Sequence, residues 1–333
     1  ETDAVAPLTY PAAPPAPRAG EPVYTADGQA VRLRASISSV SGAAAALEAG
    51  AESIGLVRSE YVMPEDGGRP DARFFRRAFG DICTRARRLP VTFRLLDVAA
   101  DKTPPWLGLL AGMHGALGLQ GSRLYDHEPV RGVVRDQVIA LARLGEPGVR
   151  LLLPYLSHTD DLLRWRATIE DWLPAPMAVG AMAETPAAVL ELREWLGLVD
   201  TVAIGCNDLM QCLFGADRDV EAVGHLLDPY TPTLWRFLKR AAEAADDALA
   251  DIQLCGLLPQ APALLPVLLG LGYRTFSVEP LLIPYLARTV TGTSTEQAQH
   301  LAAAVCAERD SDSVRVLLGY EGRAPWSFAT GAV

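Results

Sequence analysis

Short runs of β-branched and other apolar residues alternate along the chain with longer segments in which Ala, Leu and Arg recur at helical spacing. The rhythm begins near residue 30 and predicts eight strands, at Val31–Ile37, Ser53–Val57, Val91–Leu96, Val149–Leu153, Ala178–Ala183, Thr201–Ile204, Ile252–Leu254 and Arg274–Val278. Segments such as Ala187–Leu196 and Leu234–Ala250 predict the intervening helices. Eight strands, each followed by room for a helix, predict an α/β fold, a closed (β/α)8 TIM barrel.

Two stretches fall outside this rhythm. The interval between the third and fourth predicted strands is about fifty residues, longer than one helix needs, which predicts an elaborated loop after strand 3. Residues 1–22 are rich in Pro and Ala and hold almost no large apolar residues, so we expect a linker or tail there. The predicted organisation is therefore a barrel over residues 23–320 and a C-terminal tail over 321–333.

Composition narrows the functional classes. Hydrophobic residues make up 50% of the 333 positions, enough for a large core, and the formal net charge is −10. Such a charge argues against nonspecific binding to nucleic acid, although a local arginine cluster can still bind a small anion. Five scattered cysteines without a C-x-x-C pair, and no run of 18 apolar residues, predict a cytoplasmic protein without a membrane segment.

Polar side chains recur where the predicted strands end. In a (β/α)8 barrel these ends converge on one face, where active sites lie. Arginine and lysine suit phosphate, while two carboxylates suit a hard divalent cation that keeps open positions for substrate oxygens. In chain order the residues are Arg58, Arg94, Lys102, Glu184, Asn207, Asp208 and Cys255.

Each of these residues, taken alone, has a plainer interpretation. Glu184 could favour the start of a helix opening at Pro186. Asn207 and Asp208 could form a helix cap or a turn, and Cys255 could be an inert core thiol. Only their coincidence at successive strand ends favours a functional site.

Five short motifs follow one another along the chain: I-G-L-V-R-S-E-Y from Ile54, R-L-L-D from Arg94, the pair Asp101-Lys102, E-T-P-A-A from Glu184 and I-G-C-N-D-L from Ile204. In order and spacing they resemble the C-terminal barrel of Enzyme I, the phosphoenolpyruvate (PEP)–protein phosphotransferase of the sugar phosphotransferase system. The same barrel occurs in PEP synthase and pyruvate phosphate dikinase. The resemblance implies a barrel that binds PEP, releases pyruvate and needs one Mg²⁺ or Mn²⁺ ion.

The resemblance also implies a role for each matching residue. Glu184 and Asp208 would be the protein ligands of the metal ion. Arg58 and Arg94, assisted by Lys102, would bind the phosphate.

Three further residues match the pattern. Asn207 and Arg218 would contact the carboxylate end of PEP or its phosphate. Cys255 would be the acid that protonates the enolate carbon as pyruvate forms.

The chain departs from the family at two places in this expected site. Gln120 stands where an arginine on the phosphate is usual, so the resemblance makes Gln120 a substrate contact without charge. Losing one charge-assisted contact to the phosphate would cost about 1.5–3 kcal/mol of transition-state stabilisation. Leu257 follows Cys255-Gly256 in place of a glutamate.

None of the five histidines lies in the Gly-Gly-x-x-Ser-His setting of the family's phosphorylated histidine. The resemblance therefore implies a separate or upstream swivel domain that carries this histidine, an HPr-like carrier protein beyond it, and a homodimer of barrels. Two alternatives stay open. One is a catalytically weakened PEP-binding or regulatory module, and the other is a stand-alone metal-dependent lyase that works through a pyruvate enolate.

Overall fold

Residues 13–98, 104–108 and 117–320, which this computed structural model describes, are built around one closed sheet. Strands β2 to β9 run parallel in sequence order, and β2 pairs again with β9. The closing register runs from Arg32 opposite Thr275 to Ala35 opposite Val278. The short β1 lies antiparallel to β2 outside the barrel. The strands are β1 Val23–Tyr24, β2 Ala30–Ile37, β3 Ile54–Arg58, β4 Val91–Arg94, β5 Val149–Leu156, β6 Ala178–Ala183, β7 Thr201–Gly205, β8 Gln253–Cys255 and β9 Thr275–Val278.

All eight predicted strands are confirmed, and so is the (β/α)8 barrel. The expected elaborated loop after the third barrel strand falls partly on residues 99–103 and 109–116, which lie outside the described residues, and stays a prediction. The domain boundaries also stay predictions. Residues 13–22 do contact the barrel, since the Gly20 N–H donates to the Ala51 carbonyl oxygen at 2.9 Å.

Helices cover the outside of the barrel. Several begin at a side chain that accepts a backbone N–H of the first turn, as Asp71 does from Phe74 and Thr185 does from Ala188. No helix in the described part of the chain is long and apolar enough to cross a bilayer. The helices are α1 Val40–Glu48, α2 Ala72–Ala86, α3 Val130–Ala142, α4 Thr159–Trp172, α5 Pro186–Leu190, α6 Leu192–Leu196, α7 Cys206–Phe214, α8 Glu221–Gly224, α9 Pro232–Ala245, α10 Leu265–Gly270, α11 Ile283–Thr291, α12 Thr295–Ala307 and α13 Ser311–Leu317.

Two predicted helices differ from the observed ones. The single helix expected over Ala187–Leu196 is divided into α5 and α6 at Glu191. The Glu191 carboxylate accepts hydrogen bonds from the backbone N–H and the hydroxyl of Thr159, which tie this position to the start of α4. The helix expected to reach residue 250 ends at Ala245, because Asp246 takes a φ of 51° that an α-helix does not allow.

The core has two parts. A large one lies between the strands and the surrounding helices, where Trp165, Trp195 and Trp235 are fully buried. A separate cluster draws one side chain from each of five strands, β3, β5, β6, β7 and β8, and these can meet only inside the barrel. It consists of Leu56, Leu152, Met182, Ala203 and Cys255, and it forms an apolar floor beneath the C-terminal ends of the strands.

Candidate active site

Two buried carboxylates lie at the ends of neighbouring strands. Glu184 follows β6, and Asp208 lies in the first turn of α7, which directly follows β7. Their exposed fractions are 1% and 6%. Burial, together with the negative charges of Asp208 and Asp97, raises the pKa of Glu184 well above its usual value. Two acids in this setting repel each other, so a bound cation would stabilise both as carboxylates.

The backbone around Glu184 is shaped to hold its side chain. Glu184 Oε2 accepts a hydrogen bond of 2.8 Å from the N–H of Tyr155, whose φ of 51° is unusual for a residue other than glycine. On the other side, a Cβ at Gly205 would lie 2.3 Å from Glu184 Oε1. A glycine is therefore required at position 205 for the carboxylate to lie where it does.

Asp208 is surrounded by amide and guanidinium donors. Gln120 Nε2 donates to Asp208 Oδ1 at 3.0 Å, and Gln211 Nε2 donates to the same oxygen at 2.8 Å. Arg218 Nη1 lies 3.9 Å from that oxygen. The structure thus brings Gln120 and Arg218, both expected to contact substrate, against one of the two expected metal ligands.

The expected phosphate binders Arg58 and Arg94 both contact Glu60. Arg94 Nη2 donates to Glu60 Oε1 at 2.5 Å, and Arg58 Nε donates to the same oxygen at 3.2 Å. Arg94 Nη1 also pairs with Asp97 Oδ2 at 2.7 Å. Arg94 is buried and Arg58 is on the rim, with its guanidinium 4.5 Å from the centre of the Tyr61 ring.

Sequence reasoning assigned no role to Glu60 and Asp97, although both stand inside the motifs that it used. In the described part of the chain, three buried polar atoms of this group have no hydrogen-bond partner: Glu60 Oε2, Arg94 Nε and Asp97 Oδ1. Burial, opposed by Arg94, raises the pKa of Asp97 to about 6. Burial alone would lower the pKa of Arg94, but Asp97 and Glu60 raise it well above its usual value, so the guanidinium stays charged. Of these three atoms, the Arg94 Nε–H is a donor that can bind an oxygen of an anionic ligand, whereas the two carboxylate oxygens can only accept.

Cys255 is the last residue of β8 and belongs to the apolar floor beneath the C-terminal ends of the strands, the barrel mouth. Its exposed fraction is 1%, and its Sγ donates to the Ile204 carbonyl oxygen at 3.3 Å. Burial, with Cys206 and Glu184 nearby, raises the pKa of the Cys255 thiol well above its usual value. The thiol therefore keeps its proton at neutral pH, as an acid must before it acts.

Asn207 and Gly256 connect the last strands of the site. Asn207 Oδ1 accepts a hydrogen bond of 2.9 Å from the Leu257 N–H. Gly256 has a φ of 99°, and a Cβ there would lie 2.6 Å from Asn207 Oδ1. Leu257 thus contributes its backbone to the site. Lys102, the remaining expected phosphate contact, lies outside the described residues.

The donor set at Glu184 and Asp208 fits a hard divalent cation. Among the described residues no group of three or more His, Cys, Asp or Glu side chains is arranged to hold a metal ion by itself. Magnesium is commonly held by one or two carboxylates, with water and substrate oxygens completing its coordination. The two buried carboxylates therefore suit Mg²⁺ or Mn²⁺ together with an oxygen-rich substrate.

Comparison with known proteins finds relatives that match most of the chain. The chain is 36% identical over 276 residues to a phosphoenolpyruvate-protein phosphotransferase of Cupriavidus necator, covering 78% of this chain and 46% of that protein. It is 33% identical over 302 residues to the enzyme of the same name from Streptomyces coelicolor, covering 88% of this chain and 53% of that one. The chain thus spans about half the length of these curated relatives.

Solved structures support the fold. A citrate lyase from Burkholderia xenovorans matches with a TM-score of 0.50 and 16% sequence identity, covering 86% of this chain and 89% of that one.

The family described as PEP-utilising enzyme, PEP-binding domain, matches residues 17–295, which contain every residue of the site. The chain therefore belongs to the PEP-utilising enzymes, whose PEP-binding domain it carries.

Proposed function

We propose that this chain is the PEP-binding barrel of a PEP–protein phosphotransferase, and that it supports transfer of the phosphoryl group from PEP to a histidine on a swivel domain. One observation carries the proposal. A buried arginine, Arg94, whose Nε–H has no partner in the described part of the chain, shares the C-terminal end of the barrel with two buried carboxylates, Glu184 and Asp208. The Arg94 Nε–H can donate to an oxygen of a phosphate or carboxylate group, and the two carboxylates can hold a cation, so a small, highly charged substrate bound with a metal ion suits this arrangement.

Glu184 and Asp208 would hold the metal ion, Mg²⁺ or Mn²⁺. Their burial and the raised pKa of Glu184 favour a cation between them. When bound, a divalent ion supplies positive charge that stabilises the enolate and phosphate oxygens.

Arg94 and Arg58 would bind the phosphate, with Lys102 assisting. Arg94 has an Nε–H that is buried and unpaired in the described part of the chain, so it can donate to a phosphate oxygen without breaking its two ion pairs. Asn207 and Arg218 would contact the carboxylate end of PEP or its phosphate. These donors hold the phosphoryl group in place for in-line attack.

Cys255 would complete the reaction. The P–O bond of PEP breaks as the histidine nitrogen bonds to phosphorus, which leaves the enolate of pyruvate. The Cys255 thiol then gives its proton to the terminal enolate carbon, and the thiolate recovers a proton from water. The raised pKa of Cys255 supports this role, because the thiol stays protonated until the enolate forms.

The proposed function also requires partner proteins, namely a swivel domain, a carrier protein and a second barrel. The swivel domain would be supplied by the rest of a longer chain or by a separate protein, since the relatives are about twice as long as this chain. An HPr-like carrier would receive the phosphoryl group next, and the barrel would form a homodimer in the cytoplasm.

Calorimetry tests the proposal. PEP should bind the wild-type chain only when Mg²⁺ or Mn²⁺ is present, and Glu184→Gln should abolish this binding. The matched control is Glu194→Gln, which changes an exposed glutamate on α6 and should bind as the wild type does. Absence of metal-dependent PEP binding in the wild type would contradict the proposal.

Adding a phosphohistidine-type swivel domain separates a phosphotransferase from the catalytically weakened module. Pyruvate release on mixing with PEP and Mg²⁺ supports a phosphotransferase. Binding without pyruvate release would instead indicate the catalytically weakened module, which the replacement of an arginine by Gln120 favours.

A further inference from the structure

Asp208 is held by two neutral amides that donate to one of its oxygens. Gln120 Nε2 and Gln211 Nε2 lie 3.0 Å and 2.8 Å from Asp208 Oδ1, and both glutamines are buried. Two donors on one oxygen fix the rotation of the carboxylate. They also leave the lone pairs of the other oxygen, Oδ2, for a cation.

The segment that carries Gln120 is fastened to the end of β5. Ser122 Oγ donates to the Tyr155 carbonyl oxygen at 3.0 Å. Arg123 Nη2 donates to Ser157 Oγ at 2.9 Å, and its guanidinium lies 4.9 Å from the centre of the Tyr155 ring.

The backbone between these contacts is also specific. Gly121 has a φ of 50°, and a Cβ there would lie 2.5 Å from Tyr155 Cβ. The amide of Gln120 is thus held by its neighbours, whether or not a ligand is present.

Charge explains why an amide is suited to this position. Arg218 already lies 3.9 Å from Asp208 Oδ1, and Asp208 and Glu184 both act on the pKa of Arg94. An arginine at position 120, as the resembled family has, would add a permanent positive charge beside the same oxygen. Glutamine donates an equivalent hydrogen bond without that charge, and so it leaves Asp208 more attractive to a divalent cation.

We infer that Gln120 is a positioning residue for the metal ligand Asp208 and does not contact the phosphate of PEP. The inference rests on the proposed function, because it takes Asp208 as a metal ligand. It predicts that changes at Gln120 act on the affinity for the metal ion alone, in the absence of PEP. A phosphate contact would act on PEP and leave the metal affinity unchanged.

Titration with Mn²⁺ alone, followed by the electron paramagnetic resonance signal of the free ion, tests this inference. Gln120→Ala should bind Mn²⁺ about tenfold more weakly than the wild type, as is usual when a residue that orients a metal ligand is removed. Gln120→Arg should weaken binding at least as much, because it adds charge beside Asp208. The matched control is Gln299→Ala, which changes an exposed glutamine on α12 and should leave the affinity unchanged.

A second measurement guards against a merely structural effect. At saturating Mn²⁺, PEP affinity should differ less than threefold between the wild type and Gln120→Ala, and urea unfolding should show both variants folded. Mn²⁺ affinity equal in the wild type and both Gln120 variants, with PEP binding weakened in Gln120→Ala, would overturn the inference alone. A wild-type chain that binds no Mn²⁺ would overturn the proposed function and this inference with it.

Discussion

Glu60 Oε1 lies 2.5 Å from Arg94 Nη2, and this ion pair joins the end of β3 to the end of β4 with both side chains more than nine-tenths buried. The same oxygen accepts Arg58 Nε at 3.2 Å. One carboxylate therefore orients both arginines of the proposed phosphate site. The negative charge of Glu60 reduces the repulsion between the two guanidinium groups, so that both can lie at one end of the barrel.

Replacing Glu60 by glutamine removes this charge and keeps the shape. We expect the free energy of unfolding to fall by about 2 kcal/mol, the usual contribution of a buried hydrogen bond to a charged group. Urea unfolding measures the change. Glu194→Gln, on an exposed face of α6, should leave the midpoint where it is. An unchanged midpoint in Glu60→Gln would mean that the ion pair does not stabilise the fold.

A methyl group at Gly205 should disturb the metal site directly. Its Cβ would lie 2.3 Å from Glu184 Oε1, so either the strand or the carboxylate must move. For Gly205→Ala we expect a loss of about 1–3 kcal/mol of stability and a loss of Mn²⁺ binding. Gly224→Ala is the control, because a Cβ there meets no atom within 4 Å. Mn²⁺ affinity that survives in Gly205→Ala would argue against Glu184 as a ligand.

Asp97 should make the stability of the metal-free chain depend on pH. Its pKa is raised from 3.8 to about 6 by burial, so the folded chain binds this proton more tightly than the unfolded chain does. The resulting stabilisation is complete below about pH 4 and is lost as the pH rises through 6, a difference of about 3 kcal/mol. Urea unfolding should show that the free energy of unfolding falls less between pH 4 and pH 7 in Asp97→Asn than in the wild type.

Asp81→Asn, which changes an exposed aspartate on α2, controls for the loss of one acid and should follow the wild-type curve. The raised pKa of Glu184 acts in the same direction, so a residual fall should persist in Asp97→Asn. Identical slopes in the wild type and Asp97→Asn would show that Asp97 ionises normally.

Cys255→Ala should separate binding from proton transfer. PEP and Mg²⁺ should bind with little change, because the thiol lies in the apolar floor and the proposed ligands stay in place. With a swivel domain supplied, the rate of pyruvate release should fall about 10²- to 10⁴-fold, the usual contribution of a positioned acid. Cys306→Ser, on α12, is the matched control. A full rate in Cys255→Ala would assign the proton to another group.

The barrel could be predicted from the sequence because the hydrophobic residues of its strands and helices recur at the regular spacing of each element. The sequence also predicted that residues at strand ends would share one mouth, since parallel strands end on the same side. The division at Glu191 was not predictable in this way. It depends on hydrogen bonds to Thr159, which is distant in sequence and carries no periodic signal.

The same limit applies inside the site. Glu60 and Asp97 stood within recognised motifs, but their pairing with Arg94 is a matter of side-chain distance. Gln120 was expected on the phosphate because of the residue type that it replaces. Its hydrogen bond to Asp208 joins positions 88 residues apart, and only the packing of the loop on β5 determines it.

The pairing of β2 with β9 has a consequence for synthesis on the ribosome. Arg32 finds its partner only when Thr275 has been translated, so every shorter nascent chain exposes two unpaired strand edges. Such edges are open to pairing with other chains, and long-range parallel pairing forms slowly. We therefore expect a nascent chain that stops before β9 to bind chaperones or aggregate, while extension through Val278 restores a closed, protease-resistant product.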